Sequence, residues 1–222
     1  MRTQSSTARA NITRPLLAAI FGLAITFTVS AEAAAEKAAQ HIPAGYKLSE
    51  GGEINGDLNG DGAEDRVLVI QGTDKNKFED GEDRNMRGIL ILFGDGKNYK
   101  LALENRQCLS PDNGGNVQWD KPGVSVSIKK GSLLIDYQYG GCGTNKSYNF
   151  RYRNSDFELI GFDWYICGGM GQNTKTSVNF LSKKKSVKVS GKETWSNIEI
   201  NEPIKLRDIA DFDEFDVMER IK

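Results

Sequence analysis

The chain has little of the side-chain chemistry that serine hydrolases and zinc proteins need. Its 222 residues include one histidine, His41, and three cysteines. A single imidazole leaves no multi-histidine zinc site and no choice of base for a catalytic triad. His41 is therefore expected at the surface. The sequence identifies no catalytic residue and favours a protein other than an enzyme.

A long apolar run is also missing. Residues 15–29 (PLLAAIFGLAITFTV) are apolar, but a helix that crosses a membrane needs roughly 18–20 such residues. The run follows residues 1–14, which carry three arginines and no acid, and it precedes the small residues of Ala31-Glu32-Ala33. This pattern is typical of a secretory signal peptide. It predicts a signal peptide over 1–33, a periplasmic or secreted protein, and no transmembrane segment after cleavage.

No excess of basic charge is present. The formal net charge is −1, and cleavage after Ala33 removes three arginines and one glutamate, which takes it to −3. Without a Lys/Arg stripe, nucleic acid is not an expected partner. The remaining segment, 34–222, has the length of one domain, which two packed halves at 41–107 and 120–222 could also form.

One stretch, residues 56–70 (GDLNGDGAEDRVLVI), has the spacing of a calcium loop. Ca²⁺ takes six to eight oxygen ligands, and a loop that presents every second residue can surround one point. Gly62 is suited to the sharp turn. The twelfth position is Leu68, not the bidentate Glu of an EF-hand, and a strand follows. The alternative is a turn rich in Asx and Gly residues that binds no metal. The predicted calcium ligands are Asp57, Asn59, Asp61, the carbonyl of Ala63, and Asp65.

The DxNxDGxxD loop that leads into a strand resembles the calcium loops of FG-GAP repeats in integrin-like propellers and of VCBS-type secreted bacterial proteins. The later FGDGKNY (93–99) resembles the strand-turn of such repeats. The run from HIPAGYKL (41–48) to NFRYRNSDFELIGFD (149–163) is similar to a group of exported bacterial proteins of unknown function. These resemblances imply a metal site and export. The loop occurs once, however, whereas a propeller needs four or more blades.

The rest of the chain predicts a mainly β fold, an antiparallel meander with a short C-terminal helix. Strands are expected where β-branched and aromatic residues alternate with polar ones between turn sequences. A turn at Asn154-Ser155 predicts a hairpin that sets Tyr152 opposite Phe157, Phe150 opposite Leu159, and Arg151 opposite Glu158. Leu206, Ile209 and Phe212 recur at helical spacing within 204–215. The expected strands are 66–71, 87–93, 99–103, 124–129, 133–139, 147–153, 157–165, 176–181 and 187–190.

Two glycine-rich loops each carry a cysteine, Cys142 and Cys167. The hairpin register extended along both strands brings these residues opposite one another, and an oxidising compartment favours a disulfide between them. The alternative is two buried free thiols. Cys108 is then either a free buried thiol or a rival partner.

Three classes of function fit these features. The first is a calcium-binding module that recognises an envelope component, a glycan or a protein through loop aromatics, although the same aromatics could fill the core. The second is a calcium-dependent hydrolase of envelope or polysaccharide material that uses paired carboxylates. The third is a purely structural envelope protein. The candidate contact residues are Trp164, Tyr165 and Met170, with Trp119, and the candidate carboxylates are Asp136, Asp163 and Glu104.

Overall fold

Two open antiparallel sheets build the fold. The computed structural model describes residues 33, 36–112, 122–141, 143–168 and 172–222. The predicted signal peptide, except for residue 33, lies outside these residues, as do Trp119, Cys142 and Met170. Among the described residues the fold is mainly β and antiparallel, as predicted from the sequence.

The first sheet has four strands in the order β1-β2-β5-β6, and a two-stranded hairpin, β3-β4, projects between β2 and β5. Strands β2 and β5 read as nearly continuous apolar runs because both of their faces are buried. Residues 36–39 form a helical turn before the sheet. The strands are β1 Tyr46–Gly56, β2 Asp65–Gly72, β3 Phe78–Glu79, β4 Glu82–Asp83, β5 Arg87–Gly94 and β6 Tyr99–Leu109.

The second sheet has seven strands in simple meander order, from β7 at one edge to β13 at the other. The last strand, β13, is exposed along its whole length. Its partner β12 begins at Lys184, so the lysines 183–185 span the end of a turn and the start of a strand. The strands are β7 Gly123–Lys129, β8 Ser132–Gln138, β9 Asn145–Arg153, β10 Asp156–Ile166, β11 Thr174–Asn179, β12 Lys184–Val189 and β13 Lys192–Asn197.

One hydrophobic core joins the two sheets. It contains inward residues of β2, β5 and β6 together with the aromatic residues of β8–β10, and Tyr137, Tyr148, Phe150 and Phe157 are almost completely buried there. A smaller cluster covers the other face of the first sheet, where Ala38 and its neighbours pack on β2 and β5. The strands of the first sheet come from residues 46–109 and those of the second from residues 123–197, and the two sheets share the larger core.

The predicted register of the β9–β10 hairpin is correct for the pairs next to the hairpin turn and shifts by one residue farther along the strands. Leu159 pairs with Phe150 as expected, but Gly161 pairs with Asn149 across an irregularity at Ile160. Such a bulge adds one residue to one strand and displaces every later pair. The pairs predicted correctly are Phe157 with Tyr152, Glu158 with Arg151, and Leu159 with Phe150.

The helical segment at the C-terminus is short. Within 204–215, where a helix was expected, the structure has one 3₁₀ helix, Leu206–Asp208, and a second, Val217–Arg220, follows this range. The periodic residues Leu206, Ile209 and Phe212 are buried in the common core, as their spacing suggested. The backbone of this segment accepts hydrogen bonds from the first sheet. Asn105 Nδ2 donates to the carbonyls of Leu206 (2.9 Å) and Ile209 (2.8 Å), so a side chain satisfies groups that a longer helix would satisfy internally.

Candidate functional site

The predicted calcium loop is a tight turn whose side-chain oxygens already hold its own backbone. Asp57 Oδ1 and Oδ2 accept hydrogen bonds from the amides of Gly60 (2.7 Å) and Gly62 (3.0 Å). Asn59 Oδ1 accepts from the Asp61 amide at 2.9 Å, and Asp61 Oδ1 accepts from the Ala63 amide at 2.8 Å. Each of these oxygens has a second lone pair that these bonds do not use.

Glycine makes this turn feasible at two places. Gly60 and Gly62 have φ of +80° and +85°, the left-handed region that residues with a Cβ rarely enter. The requirement for glycine at the sixth position of the motif is therefore met, as the sequence predicted.

Asp65 differs from the other predicted ligands because it is completely buried. Its Oδ2 accepts from the amides of Leu58 (2.7 Å) and Asn59 (3.3 Å), and its Oδ1 accepts from the amide of Gly94 (3.0 Å). Burial raises the pKa of the Asp65 carboxyl above its ordinary value, although these three bonds oppose the rise. Asp65 anchors the loop to the first sheet.

The later FGDG sequence supplies the other half of this anchor. A Cβ on Gly94 would lie 2.2 Å from the Glu64 carbonyl oxygen, so the close approach of the β5–β6 turn to the loop requires glycine. Arg66 secures the same corner, where its guanidinium bonds Glu53 Oε1 at 2.7 Å and Tyr99 Oη at 2.9 Å. The two motifs that suggested a repeat family are thus adjacent in space.

The donor set is suited to a hard cation only in part. Three oxygen-bearing side chains, those of Asp57, Asn59 and Asp61, lie on the half-buried or exposed side of the loop, and oxygens are the ligands that Ca²⁺ prefers. Among the described residues no three His, Cys, Asp or Glu side chains gather closely enough to hold a metal as they stand. This outcome is consistent with the burial of Asp65, because only two of the predicted ligands on the outer side of the loop are carboxylates, and the exposed Glu64 pairs with Arg66.

One edge of the loop borders an open cleft of about 590 Å³. The loop forms one wall through residues 55–60, and the β7–β8 turn with Lys130 forms another. Arg151 and Tyr152 of β9 complete the lining. Arg151 donates to Ser132 Oγ (3.3 and 3.2 Å), whereas Glu158 bonds Arg153 and not its cross-strand partner Arg151. The loop therefore has a buried anchor and an accessible rim.

The cysteines are only partly described. Cys108 is a free, completely buried thiol, which is one of the two states that the sequence left open. Burial raises its pKa well above the ordinary value. Cys142 lies outside the described residues, and the Cys142–Cys167 disulfide stays a prediction. Because of the shift at Ile160, the simple register no longer holds on the part of β10 that leads to Cys167. The Cys167 amide nevertheless donates to Thr144 Oγ1 at 3.3 Å.

The candidate contact aromatics point in different directions. Trp164 is half-buried and packs against the common core. It therefore serves the core, which is the alternative to ligand contact that the sequence left open. Tyr165 lies on the opposite face of the second sheet, half-buried, and Met170 lies outside the described residues. Sequence reasoning missed Trp195 of β13, whose side chain is 65% exposed. The available signal was a lone tryptophan within an otherwise polar stretch, KETWSN.

Two of the three candidate carboxylates share one face. Asp136 of β8 and Asp163 of β10 are both cross-strand partners of Ser147 on β9. With strands about 4.8 Å apart, their Cα atoms are separated by roughly 10 Å. Ser147 Oγ donates to Asp136 Oδ1 at 2.5 Å, and Lys175 Nζ lies 3.6 Å from Asp163 Oδ1. Glu104 lies on the first sheet, where it pairs with Arg106.

Comparison of the chain with protein-family models, curated proteins and solved structures finds no significant match in any of the three. In the described part of the chain, every helix is too short or too polar to cross a membrane.

Proposed function

We propose that the protein is an exported calcium-binding β domain that acts as a binding module, with one Ca²⁺ held by the loop at 57–65. The observation that supports it best is the convergence of Asp57, Asn59 and Asp61 on one glycine-dependent turn. Asp65 fixes this turn to the first sheet through three backbone amides. Ca²⁺ would neutralise carboxylates that repel one another across a few ångströms.

The proposal assigns the residues different parts. The side chains of Asp57, Asn59 and Asp61 and the carbonyl of Ala63 supply oxygens, and the ionised Asp65 adds charge from beneath. Without a bidentate Glu the affinity should be that of extracellular modules, with Kd of about 10⁻⁴–10⁻³ M. Calcium at tenfold above Kd then adds about 1.4 kcal/mol to the free energy of unfolding.

A calcium titration of the melting temperature, with calorimetry of binding, tests this proposal. For a domain of this size the expected gain corresponds to a rise in Tm of about 3–6 °C. Mg²⁺ should have much less effect, because it gives up its water ligands reluctantly. The Asp61→Ala variant should lose the response.

Asp95→Ala is the matched control for Asp61→Ala. Asp95 is also an exposed turn residue, and its Oδ1 accepts from the amides of Lys97 (2.8 Å) and Asn98 (2.6 Å). It lies outside the metal loop, so its loss should lower stability without changing the calcium response. If the wild-type protein shows neither a shift in Tm nor a binding isotherm at about 10 mM Ca²⁺, the loop is a turn without a metal.

A hydrolase of polysaccharide is the second candidate, favoured by the common face of Asp136 and Asp163. Side chains on Cα atoms roughly 10 Å apart would have to lean toward each other to bring their carboxyl groups to the spacing of inverting glycosidases, about 6.5–9.5 Å. A reducing-end assay on oligosaccharides tests it. Asp163→Asn should abolish hydrolysis, and Glu104→Gln, on the other sheet, should leave it intact.

A further inference from the structure

The outward face of the seven-stranded sheet carries a continuous row of polar side chains. We call this surface, formed by the outward residues of β7–β13, the polar face. Cross-strand pairing places one residue of each strand in the row. From β7 to β13 the row reads Ser125, Asp136, Ser147, Asp163, Ser177, Ser186 and Trp195. Five strand intervals separate Asp136 from Trp195, a length of about 24 Å.

The row itself is built from short side chains apart from Trp195, and the basic and acidic side chains of the whole face, which include Arg151 and Lys184, come close to balancing. Four of the seven residues in the row are serines, and Asp136 is hydrogen-bonded to one of them, Ser147. Asp163 lies beside Lys175, and Lys188 is the cross-strand partner of Glu193. Such balanced charge does not attract a polyanion, and the shortage of large apolar groups does not favour a protein interface.

Gly161 leaves one position without a side chain in the middle of the polar face. Its cross-strand partners are Asn149 on one side and Asn179 on the other, so two amides border a position without a side chain. The Oδ1 atom of Asn149 is itself buried and accepts no hydrogen bond from the described residues. A Cβ on Gly161 would meet only Asn149 Cβ at 3.6 Å and the Val178 carbonyl at 3.9 Å. The gap is therefore not required for packing.

Aromatic rings flank the hydrogen-bonding groups. Trp195 ends the polar row on β13 and is 65% exposed. Such exposure is unusual for tryptophan, because folding normally removes the large apolar area of the indole from water. Tyr165 lies two residues beyond Asp163 on β10, on the same face. Rings of this kind can cover the apolar C–H face of a sugar, while serine and asparagine groups bond its hydroxyls.

We infer that the polar face binds an uncharged oligosaccharide chain, with one sugar ring over Gly161 and another against Trp195. The inference deepens the proposed binding module and rests on it for the kind of ligand, but not on the calcium loop. A neutral chain matches the balanced charge, and its hydroxyls match the accessible serines Ser125, Ser147 and Ser177, whereas Ser186 is buried. A saccharide of about five or six rings would span the row.

Calorimetry with maltohexaose, cellohexaose and chitohexaose tests this inference. We expect one of the three to bind the wild-type protein. Trp195→Ala should weaken that binding by roughly two- to tenfold, the range for one aromatic contact. Gly161→Leu places a large side chain where the ring should lie and should weaken the binding by at least about tenfold. Gly161→Ala, which fits without displacing a neighbour, should have a smaller effect.

Phe78→Ala is the matched control, because Phe78 is an aromatic residue, 59% exposed, on the β3–β4 hairpin away from the polar face. It should bind the saccharide like the wild-type protein. Melting curves check that each variant is folded. Failure of all three saccharides to bind at about 10 mM, or equal loss in Phe78→Ala and Trp195→Ala, overturns the inference. Repeating the titration in chelator separates it from the metal: binding without calcium supports the polar face even if the loop holds no ion.

Discussion

Replacing Asp65 with asparagine tests whether its carboxylate anchors the loop when no metal is present. The two oxygens of Asp65 accept three backbone amides, and the side chain is 0% exposed. An asparagine of the same shape keeps one oxygen, and its NH₂ group must face at least one of these amides. One buried N–H therefore loses its acceptor.

The expected cost follows from that loss. A buried donor left without an acceptor destabilises a fold by about 1–3 kcal/mol. Burial raises the pKa of Asp65 because removing a charged carboxylate from water is costly. A neutral amide costs less to bury, which offsets some of the loss. We therefore expect Asp65→Asn to lower the free energy of unfolding by about 2 kcal/mol, or Tm by about 4–8 °C.

Urea unfolding in the presence of chelator measures the effect without any contribution from calcium. Asp61→Asn is the matched control: the chemical change is identical, but the residue is exposed. Its amide oxygen can still accept from the Ala63 amide, and the bond that it loses, from Asn59 Nδ2, is exposed to water. This variant should change stability by no more than about 0.5 kcal/mol. Equal stabilities of Asp65→Asn and wild type would refute the buried anchor, and an unequal m-value would show that the unfolded state had changed.

Three further predictions concern the anchor, the cysteines and export. Gly94→Ala should cost about 1–3 kcal/mol, because its Cβ would collide with a backbone carbonyl, whereas Gly161→Ala should stay within about 1 kcal/mol of wild type. Peptide mapping without reduction should recover Cys142 linked to Cys167, which in the chain-entropy model contributes roughly 3 kcal/mol. Mass spectrometry of the native protein should find a mature N-terminus near Ala34.

Each of these predictions has a distinct contrary result. Similar unfolding midpoints for the two glycine variants would mean that the loop and the β5–β6 turn are not in contact. A bridge to Cys108 would contradict its burial, and Cys108 should react with iodoacetamide only after unfolding, because burial suppresses the thiolate. A chain that retains Met1 would exclude cleavage.

Alternation and turn chemistry predicted most of the long strands, but missed β1, which is partly buried, and β13, which is exposed on both faces. Strand β10 alternates inward aromatics with polar residues, so its pairing with β9 followed from the sequence. In β13 every residue is exposed, and nothing in KETWSN distinguishes an inward from an outward position. The bulge at Ile160 also left no signal, because the inserted residue is apolar within an apolar run and is itself buried.

The contacts that side chains make across the sheets were the other feature that the sequence did not predict. The sequence aligned Arg151 with Glu158, and their Cα atoms are indeed partners. The guanidinium instead reaches Ser132 on the neighbouring strand, and Glu158 bonds Arg153 and Asn154. Register fixes which residues are opposite, whereas a long side chain has several neighbours within reach. Trp164 and Trp195 illustrate the same limit, since only the completed sheet shows which indole faces the core.

The calcium motif could not be separated from a plain turn by sequence, because both use the same atoms. Asp, Asn and Gly close an Asx-rich turn through side-chain oxygens that accept backbone amides, and those oxygens are also what Ca²⁺ prefers. The structure divides the set, with Asp65 beneath the loop as an anchor and Asp57, Asn59 and Asp61 on its rim. A turn without a metal needs the anchor and is indifferent to the charge of the rim. A metal site needs both, so the calcium response of Asp61→Ala distinguishes the two, while the stability of Asp65→Asn in chelator reports the turn alone.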